Sequence, residues 1–263
     1  MLGFWSPRYI PYSYADNGHV IANVSVNILD CIMDGNRPQA MQIGTVMTHP
    51  DYRNRGLSSD LMNIVLAKYE EQCDFIYLFA NRDVLDYYPK FGFQAMQESL
   101  FYMDRSPESP QSSDAFIDKG IRKLNGKNSE DLRFIYKFAS ARRPVSRIFG
   151  TEHTLGILMY YCLNVFYNDI YYLEREDVIV LYKQEPSRID MFDIISRTEI
   201  NLERILNTIS RANTAKIVFH YTPDDHATRM ESSPYAESDV LFVRSRDPIS
   251  FPARMKHPST SQA

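Results

Sequence analysis

Residues 42–66, QIGTVMTHPDYRNRGLSSDLMNIVL, read as a buried strand, a basic turn around Gly56 and an amphipathic helix. The apolar side chains Leu57, Leu61, Ile64, Val65 and Tyr69 fall at the spacing of one helix face, so the helix begins at the turn. A turn of exposed backbone N–H groups followed at once by a helix N-terminus concentrates partial positive charge, which suits a phosphate group. Arg53 and Arg55 add full charges beside it.

Working outward, His19 to Ile32 alternates with many Val and Ile residues, Asp34-Gly35-Asn36 marks a turn, and Gln39 to Thr48 is a second extended run. These form an antiparallel pair that His49-Pro50 ends, because proline cannot continue the ladder. Residues 1–18 are aromatic and proline-broken and are expected to lie across a surface. Trp5, Tyr9, Tyr12 and Tyr14 are read as packing in preference to a substrate wall. Downstream, Phe75 to Ala80 is a short strand, Val84 to Tyr88 starts a helix closed by Pro89 and Gly92, and Phe93 to Met103 is one strand. The stretch SPESPQSS at 106–113 is the expected domain boundary, giving a first domain at 1–108, a linker at 109–128 and a second domain at 129–263.

The second half predicts helices from Ser129 and around Leu155 to Cys162, and strands at Ile170 to Leu173, Val178 to Tyr182 and Met191 to Ser196. A helix at Leu202 to Arg211 and strands at Lys216 to Tyr221 and Asp239 to Arg244 follow, then an irregular tail to Ala263. Residues 191–221 repeat the strand, turn, helix, strand order of 42–80. Where the basic glycine turn would fall they carry RTEINLE, acidic and without glycine. The second domain is thus expected to be a diverged copy without the phosphate site.

Length and charge set the class. A chain of 263 residues with net charge −4 and no basic block is not built for general nucleic-acid binding. Cys31, Cys73 and Cys162 are scattered, which fits a reduced, cytoplasmic protein, and neither a secretion signal nor a membrane span is expected. His153, His220, His226 and His257 lack ligand spacing, so they are read as structural and no metal is expected.

Two motifs carry a resemblance. Arg53-Asn54-Arg55-Gly56-Leu57-Ser58 is similar to the cofactor motif of the GNAT acyltransferases, Gln or Arg followed by x-x-Gly-x-Gly/Ala, with Ser58 as the one departure. Tyr88-Pro89-Lys90-Phe91-Gly92-Phe93 is similar to that family's aromatic element near the domain end, with Asn81 upstream. Over about residues 20–103 the chain resembles this family, whose members move an acetyl group from acetyl-CoA to an amine. The resemblance implies a mixed, largely antiparallel α/β sheet flanked by helices, in two tandem GNAT-like domains with only the first active. It also implies N-terminal elements shorter than usual.

By the same resemblance, Arg53, Asn54, Arg55, Gly56, Leu57, Ser58 and Ser59 would hold the pyrophosphate of acetyl-CoA. Val46, Met47 and Thr48 would splay from the next strand and bind the pantetheine arm, with Asn81 assisting. Tyr88 would be the general acid for the departing thiolate, with Tyr87 as its neighbour and competitor. Transfer would be direct, in a ternary complex with a small-molecule or peptide amine of unspecified identity. No carboxylate lies on the strand at 39–48, so the amine's proton would leave through water, through a residue such as Asp30 or Asp34, or through a group of the second domain such as the carboxylate of Ala263. An acyl-CoA-binding regulatory protein without turnover is the alternative, and a peptide-binding scaffold a third.

Overall fold

The computed structural model describes residues 4, 6–105, 120–224, 230–236 and 239–263. The described residues form two seven-stranded sheets. The first begins with β1 (Tyr9–Asp16) and β2 (His19–Met33), joined by Asn17 and Gly18 at φ 49° and 79°. Positive φ at both central residues is what a tight hairpin with the native strand twist needs. The aromatic start is thus a strand from Tyr9 onward, in correction of the irregular segment expected from its proline content: Pro11 sits in β1 at the sheet edge, where no ladder donor is required.

Next come β3 (Gln39–Thr48), helix α1 (Leu57–Tyr69) and β4 (Phe75–Asn81), the last parallel to β3. Helix α1 packs Leu61, Met62, Val65 and Leu66 against Val24, Val26, Ile43 and Leu78 of the sheet. Along β4 the side chains alternate. Ile76 and Leu78 face α1, while Phe75 and Tyr77 face the other way, onto Phe149, Phe251 and Met255. Around Phe75 and Tyr77 that second face is covered by the C-terminal segment.

The helix expected from Val84 does not form. Residues 82–84 and 88–91 make two separate 3-10 turns, because Pro89 cannot donate inside a helix and Gly92 at φ 79° ends the second turn. The strand expected at 93–103 divides into β5 (Gln94–Met96) and β6 (Ser99–Asp104), which belong to different sheets.

In the second half follow β7 (Ile121–Leu124), α2 (Ser129–Ala139), β8 (Phe149–Glu152), α3 (Leu155–Asn164), β9 (Ile170–Leu173), β10 (Val178–Gln184) and β11 (Arg188–Ile195). Helix α4 (Leu202–Ile209), β12 (Lys216–Phe219), β13 (Glu231–Pro234) and β14 (Asp239–Arg244) complete the chain. The second sheet runs β13, β6, β12, β11, β10, β9, β7. Helix α4 packs on one face, through Ile205, Leu206 and Ile209. Helices α2 and α3 pack on the other, through Ile135, Leu158 and Cys162.

Sheet membership crosses the sequence midpoint in both directions. Strand β14 lies between β4 and β5 in the first sheet, β8 pairs with β2, and β6 pairs with β12 and β13 in the second. Residues 106–119, which hold the Pro/Ser stretch and much of the expected linker, lie outside the described residues, as do Trp5 and His226. The tail read as irregular has no strand or α-helix, but it is not peripheral: Met255, Lys256, His257, Thr260 and Ser261 are all buried. All three cysteines are free thiols, with Cys31 and Cys162 buried.

Candidate active site

The site begins with a defect in a ladder. Val24 faces Val46 and Val26 faces Ile43, so β3 carries one residue more than β2 between these pairs. This is a β-bulge at Gly44–Thr45, and a bulge bends its strand away from a neighbour. On the other side, β3 and β4 pair only from Ala40↔Phe75 to Ile43↔Leu78, and beyond Ile43 they part. Asn23 Nδ2 donates to the Thr45 carbonyl at 2.9 Å, fixing the bulge on its β2 side. Toward β4, residues 44–48 have no ladder partner, which leaves main-chain groups in need of one.

A cavity of about 470 Å³ fills the gap between the two strands. Val46, Met47, Thr48, Ser58, Asn81, Tyr87, Tyr88 and Ala263 are among its lining. A second cavity, of about 530 Å³, opens on the opposite side of β3, between β1, β2 and α3. Arg8, Tyr9, Ser25, Asn27, His153 and Tyr161 contribute to it. Gly44, Thr45 and Ala263 line both. The bulge is therefore the place where the two cavities meet.

At Gly44 a side chain would fill this meeting point. A Cβ built there would lie 3.2 Å from Ser25 Oγ and 3.4 Å from both Asn27 Nδ2 and the Ala263 Cβ. Behind it, a buried chain of hydrogen bonds holds the last residues in place. Gln42 Nε2 donates to Tyr77 Oη at 2.7 Å and to the Ser261 carbonyl at 3.0 Å, and the Ala263 N–H donates to Gln42 Oε1. Tyr77 Oη lies 2.9 Å from His257 Nε2, and His257 Nδ1 lies 3.0 Å from the Pro258 carbonyl. Burial, with Lys256 adding to it, pushes the His257 imidazole down to about 3, so the ring is neutral. A neutral ring that donates from Nδ1 to the carbonyl accepts the Tyr77 hydroxyl proton at Nε2.

Tyr88 starts the second 3-10 turn and is 6% exposed, packed by Tyr87, Phe93 and Phe242. Its hydroxyl makes no hydrogen bond to a described residue, and the side chain lines the gap between β3 and β4. Burial first and Tyr87 second push its phenol up to about 12. It is a proton donor throughout the neutral range.

At the basic turn, Asn54 and Gly56 both have positive φ, 62° and 78°, and Gly56 is the N-cap of α1 without a side-chain cap bond. The first N–H groups of α1 thus have no side-chain acceptor from their cap. Arg55 folds back onto its own turn. Its Nη2 donates to the Asp51 carbonyl at 3.0 Å and its guanidinium lies 4.8 Å from the centre of the Tyr52 ring. Tyr87 Oη lies 3.2 Å from Ser58 Oγ and 3.4 Å from Ser59 Oγ, tying the helix start to the turn that carries Tyr88.

Residues 11–96 match the family model described as an acetyltransferase (GNAT) domain. This stretch of the chain is a GNAT domain. Among solved structures, a probable N-acyltransferase of unknown function from Enterococcus faecalis V583 is similar over 90% of this chain and 62% of its own, at 14% identity and TM-score 0.55. A GCN5-related N-acetyltransferase from Kribbella flavida aligns over 90% and 59%, at 16% and 0.51. Eis1 from Mycobacterium abscessus aligns over 89% and 63%, at 13% and 0.53. These likenesses show a shared fold. The chain spans about three-fifths of the length of each structure. No curated protein matches the sequence.

Within the GNAT domain, the structure brings Val46, Met47, Thr48, Ser58, Asn81 and Tyr88 to one cavity. Leu57 and Ser59 lie in the first turn of α1, and Arg53, Asn54, Arg55 and Gly56 form the exposed turn before it. Asn81 also caps the following turn, its Oδ1 accepting the Asp83 N–H at 3.1 Å. The sequence reading missed Gly44 and Thr45, although a glycine inside a strand pattern is a signal of a bulge or a close approach. It also missed Arg8, Ser25 and Asn27, whose neighbours in sequence give no hint that they share a cavity. His153, read as structural, lines that cavity with its Nδ1 2.8 Å from Asp30 Oδ2. The described residues hold no group of three or more His, Cys, Asp or Glu fit for a metal, and no described helix is long and apolar enough to cross a membrane.

Proposed function

We propose that the protein is an acetyl-CoA-dependent N-acetyltransferase that transfers directly from thioester to amine in a ternary complex. The observation that carries this reading is the meeting of two cavities at Gly44–Thr45, with the Tyr88 hydroxyl unpaired in one of them. A thioester entering between β3 and β4 and an amine entering between β1, β2 and α3 would reach each other only there.

The fit of acyl-CoA rests on the chain's own groups. Unladdered main chain at Val46 to Thr48 suits an amide-bearing arm, and the turn at Arg53 to Gly56 with the N-terminus of α1 suits a pyrophosphate. Acetyl-CoA supplies the activated acyl carbon. In the transfer a C–N bond forms and a C–S bond breaks, and the sulfur takes up a proton, which Tyr88 is placed to give. His153, held by Asp30, is the titratable pair at the second cavity and a candidate to take the amine's proton, directly or through water.

We infer a cytoplasmic location from the free thiols alone. Release of free CoA in the presence of an amine panel tests the function. Turnover with at least one amine is expected. Acetyl-CoA that raises thermal stability without any CoA release would instead favour a binding protein that lacks turnover.

A further inference from the structure

The second cavity has an uneven distribution of charge. No described carboxylate side chain lines it, the chain's carboxylate there being the main-chain end of Ala263 at the bulge, and Asp30 at its border is engaged by His153 at 2.8 Å. Its permanent cation is Arg8, which donates Nη1 to the Ile28 carbonyl at 3.3 Å and has no described carboxylate within ion-pair distance. Toward the bulge, two buried polar groups lack a partner: Ser25 Oγ, in a residue fully buried, and Asn27 Nδ2, in a residue 7% exposed. Both lie within 3.4 Å of the Cβ position at Gly44, so they border the point where the cavities meet. Buried donors in want of an acceptor are rare and unfavourable, and an oxygen-bearing ligand would satisfy them.

The remaining walls are apolar and aromatic, with Phe4, Tyr9, Ile157 and Tyr161 among them. Arg8 and Asn27 both line this one cavity of about 530 Å³, the space of a single small molecule.

Resting on the transferase reading, we propose that the acceptor is an amine on an aromatic or apolar body that also carries a carboxylate, the chemistry of an aromatic amino acid. Its carboxylate is received by Arg8 and the Asn27 amide, its ring by the aromatic wall, and its amine is directed at the bulge. Beyond the one ammonium that the Ala263 end at the bulge could pair, a polyamine brings further charges that no described lining side chain pairs, and an unpaired buried charge is strongly disfavoured.

The test compares L-tyrosine with tyramine, which lacks only the carboxylate, and with spermidine, each with acetyl-CoA. Tyrosine is expected to exceed tyramine in kcat/KM by at least about tenfold, the size of one charge-assisted contact. Arg8→Met should bring the two within about threefold while the thermal shift given by acetyl-CoA stays as in the wild type. Equal or better use of tyramine or spermidine overturns the proposal, as does an unchanged ratio in Arg8→Met. If no amine releases CoA, the transferase reading fails separately, and calorimetry with N-acetyltyrosine on CoA-saturated protein decides the site. Binding that weakens in Arg8→Met supports it; absent or equal binding overturns it.

Discussion

In the proposed function Tyr88 and Gly44 are two kinds of residue, one used for its chemistry and one for its lack of a side chain. Tyr88 keeps its proton because burial disfavours the phenolate, up to a pH of about 12. Tyr88→Phe is expected to lower kcat about a hundredfold, the usual size of a lost general acid, with little change in the acetyl-CoA concentration that protects against heat. Since the phenol stays neutral, no loss of rate below pH 10 should trace to Tyr88, and a pH profile on the wild type and Phe variant checks this. Under the same proposal Gly44 leaves room where the two cavities meet. Gly44→Val places methyl groups against Ser25, Asn27 and Ala263 and should abolish transfer while leaving the circular dichroism spectrum intact. Tyr88 was legible in the sequence because Tyr-Pro-x-Phe-Gly-Phe is a contiguous signature. Gly44 was not, since its meaning depends on what β2 and the C-terminus bring opposite it. Arg8 and Asn27 were hidden for the same reason.

At the level of elements, periodicity located α1, α2 and α4 and most strands, because amphipathic faces repeat within the element itself. It failed where proline and glycine break a helix into 3-10 turns at 82–91, and where a tail without periodicity is held by specific bonds. That tail depends on a buried ion pair. Lys256 Nζ lies 2.8 Å from Glu98 Oε2, with the side chains 4% and 3% exposed, and Glu98 Oε1 accepts the His257 N–H at 2.8 Å. Removing one partner leaves a buried charge uncompensated, so Glu98→Ala should cost about 3–5 kcal/mol in urea unfolding. Replacing both, as Glu98→Leu with Lys256→Met, should recover much of that loss. His257 adds a pH dependence of definite sign. Its folded value near 3 lies below the usual 6.5, so its neutral burial contributes stability fully above pH 6.5. That contribution is lost as pH falls from 6.5 toward 3, and His257→Gln should flatten the decline in Tm over this window.

At the scale of the whole molecule, the two halves show a similar pairing of parallel strands. Strands β11 and β12 pair in parallel over four residues, Arg188↔Lys216 to Met191↔Phe219, as β3 and β4 do from Ala40↔Phe75 to Ile43↔Leu78. The cavity beyond that pairing, lined by Arg143, Arg147, Glu199 and Asn201, matches the position of the first gap. There Glu199 lies 3.7 Å from both arginines, so a carboxylate of the chain itself engages the cations that a phosphate would need. The sequence carries the same difference, since RTEINLE has no glycine turn. The exchange of strands was not legible there, because a strand's own pattern does not say which sheet it joins. We propose two GNAT-like units that fold as one body. The first sheet needs β14 between β4 and β5, and the second needs β6 beside β12. Thr260 Oγ1 further donates to Asp193 Oδ2 at 2.5 Å, while Ser261 Oγ is 2.8 Å from Thr151 Oγ1, so the tail bonds to both sheets. A fragment of residues 1–105 would leave β4 and β5 without the strand that joins them, exposing Leu241's and Phe242's contact surfaces in the two cores. It is expected to lack the cooperative urea transition of the full chain. The full chain should unfold in a single transition, coincident by tryptophan fluorescence and circular dichroism, despite its two sheets. Two resolved transitions, or a fragment 1–105 that unfolds cooperatively by itself, would show that the sheets are independent and that the strand exchange does not couple them.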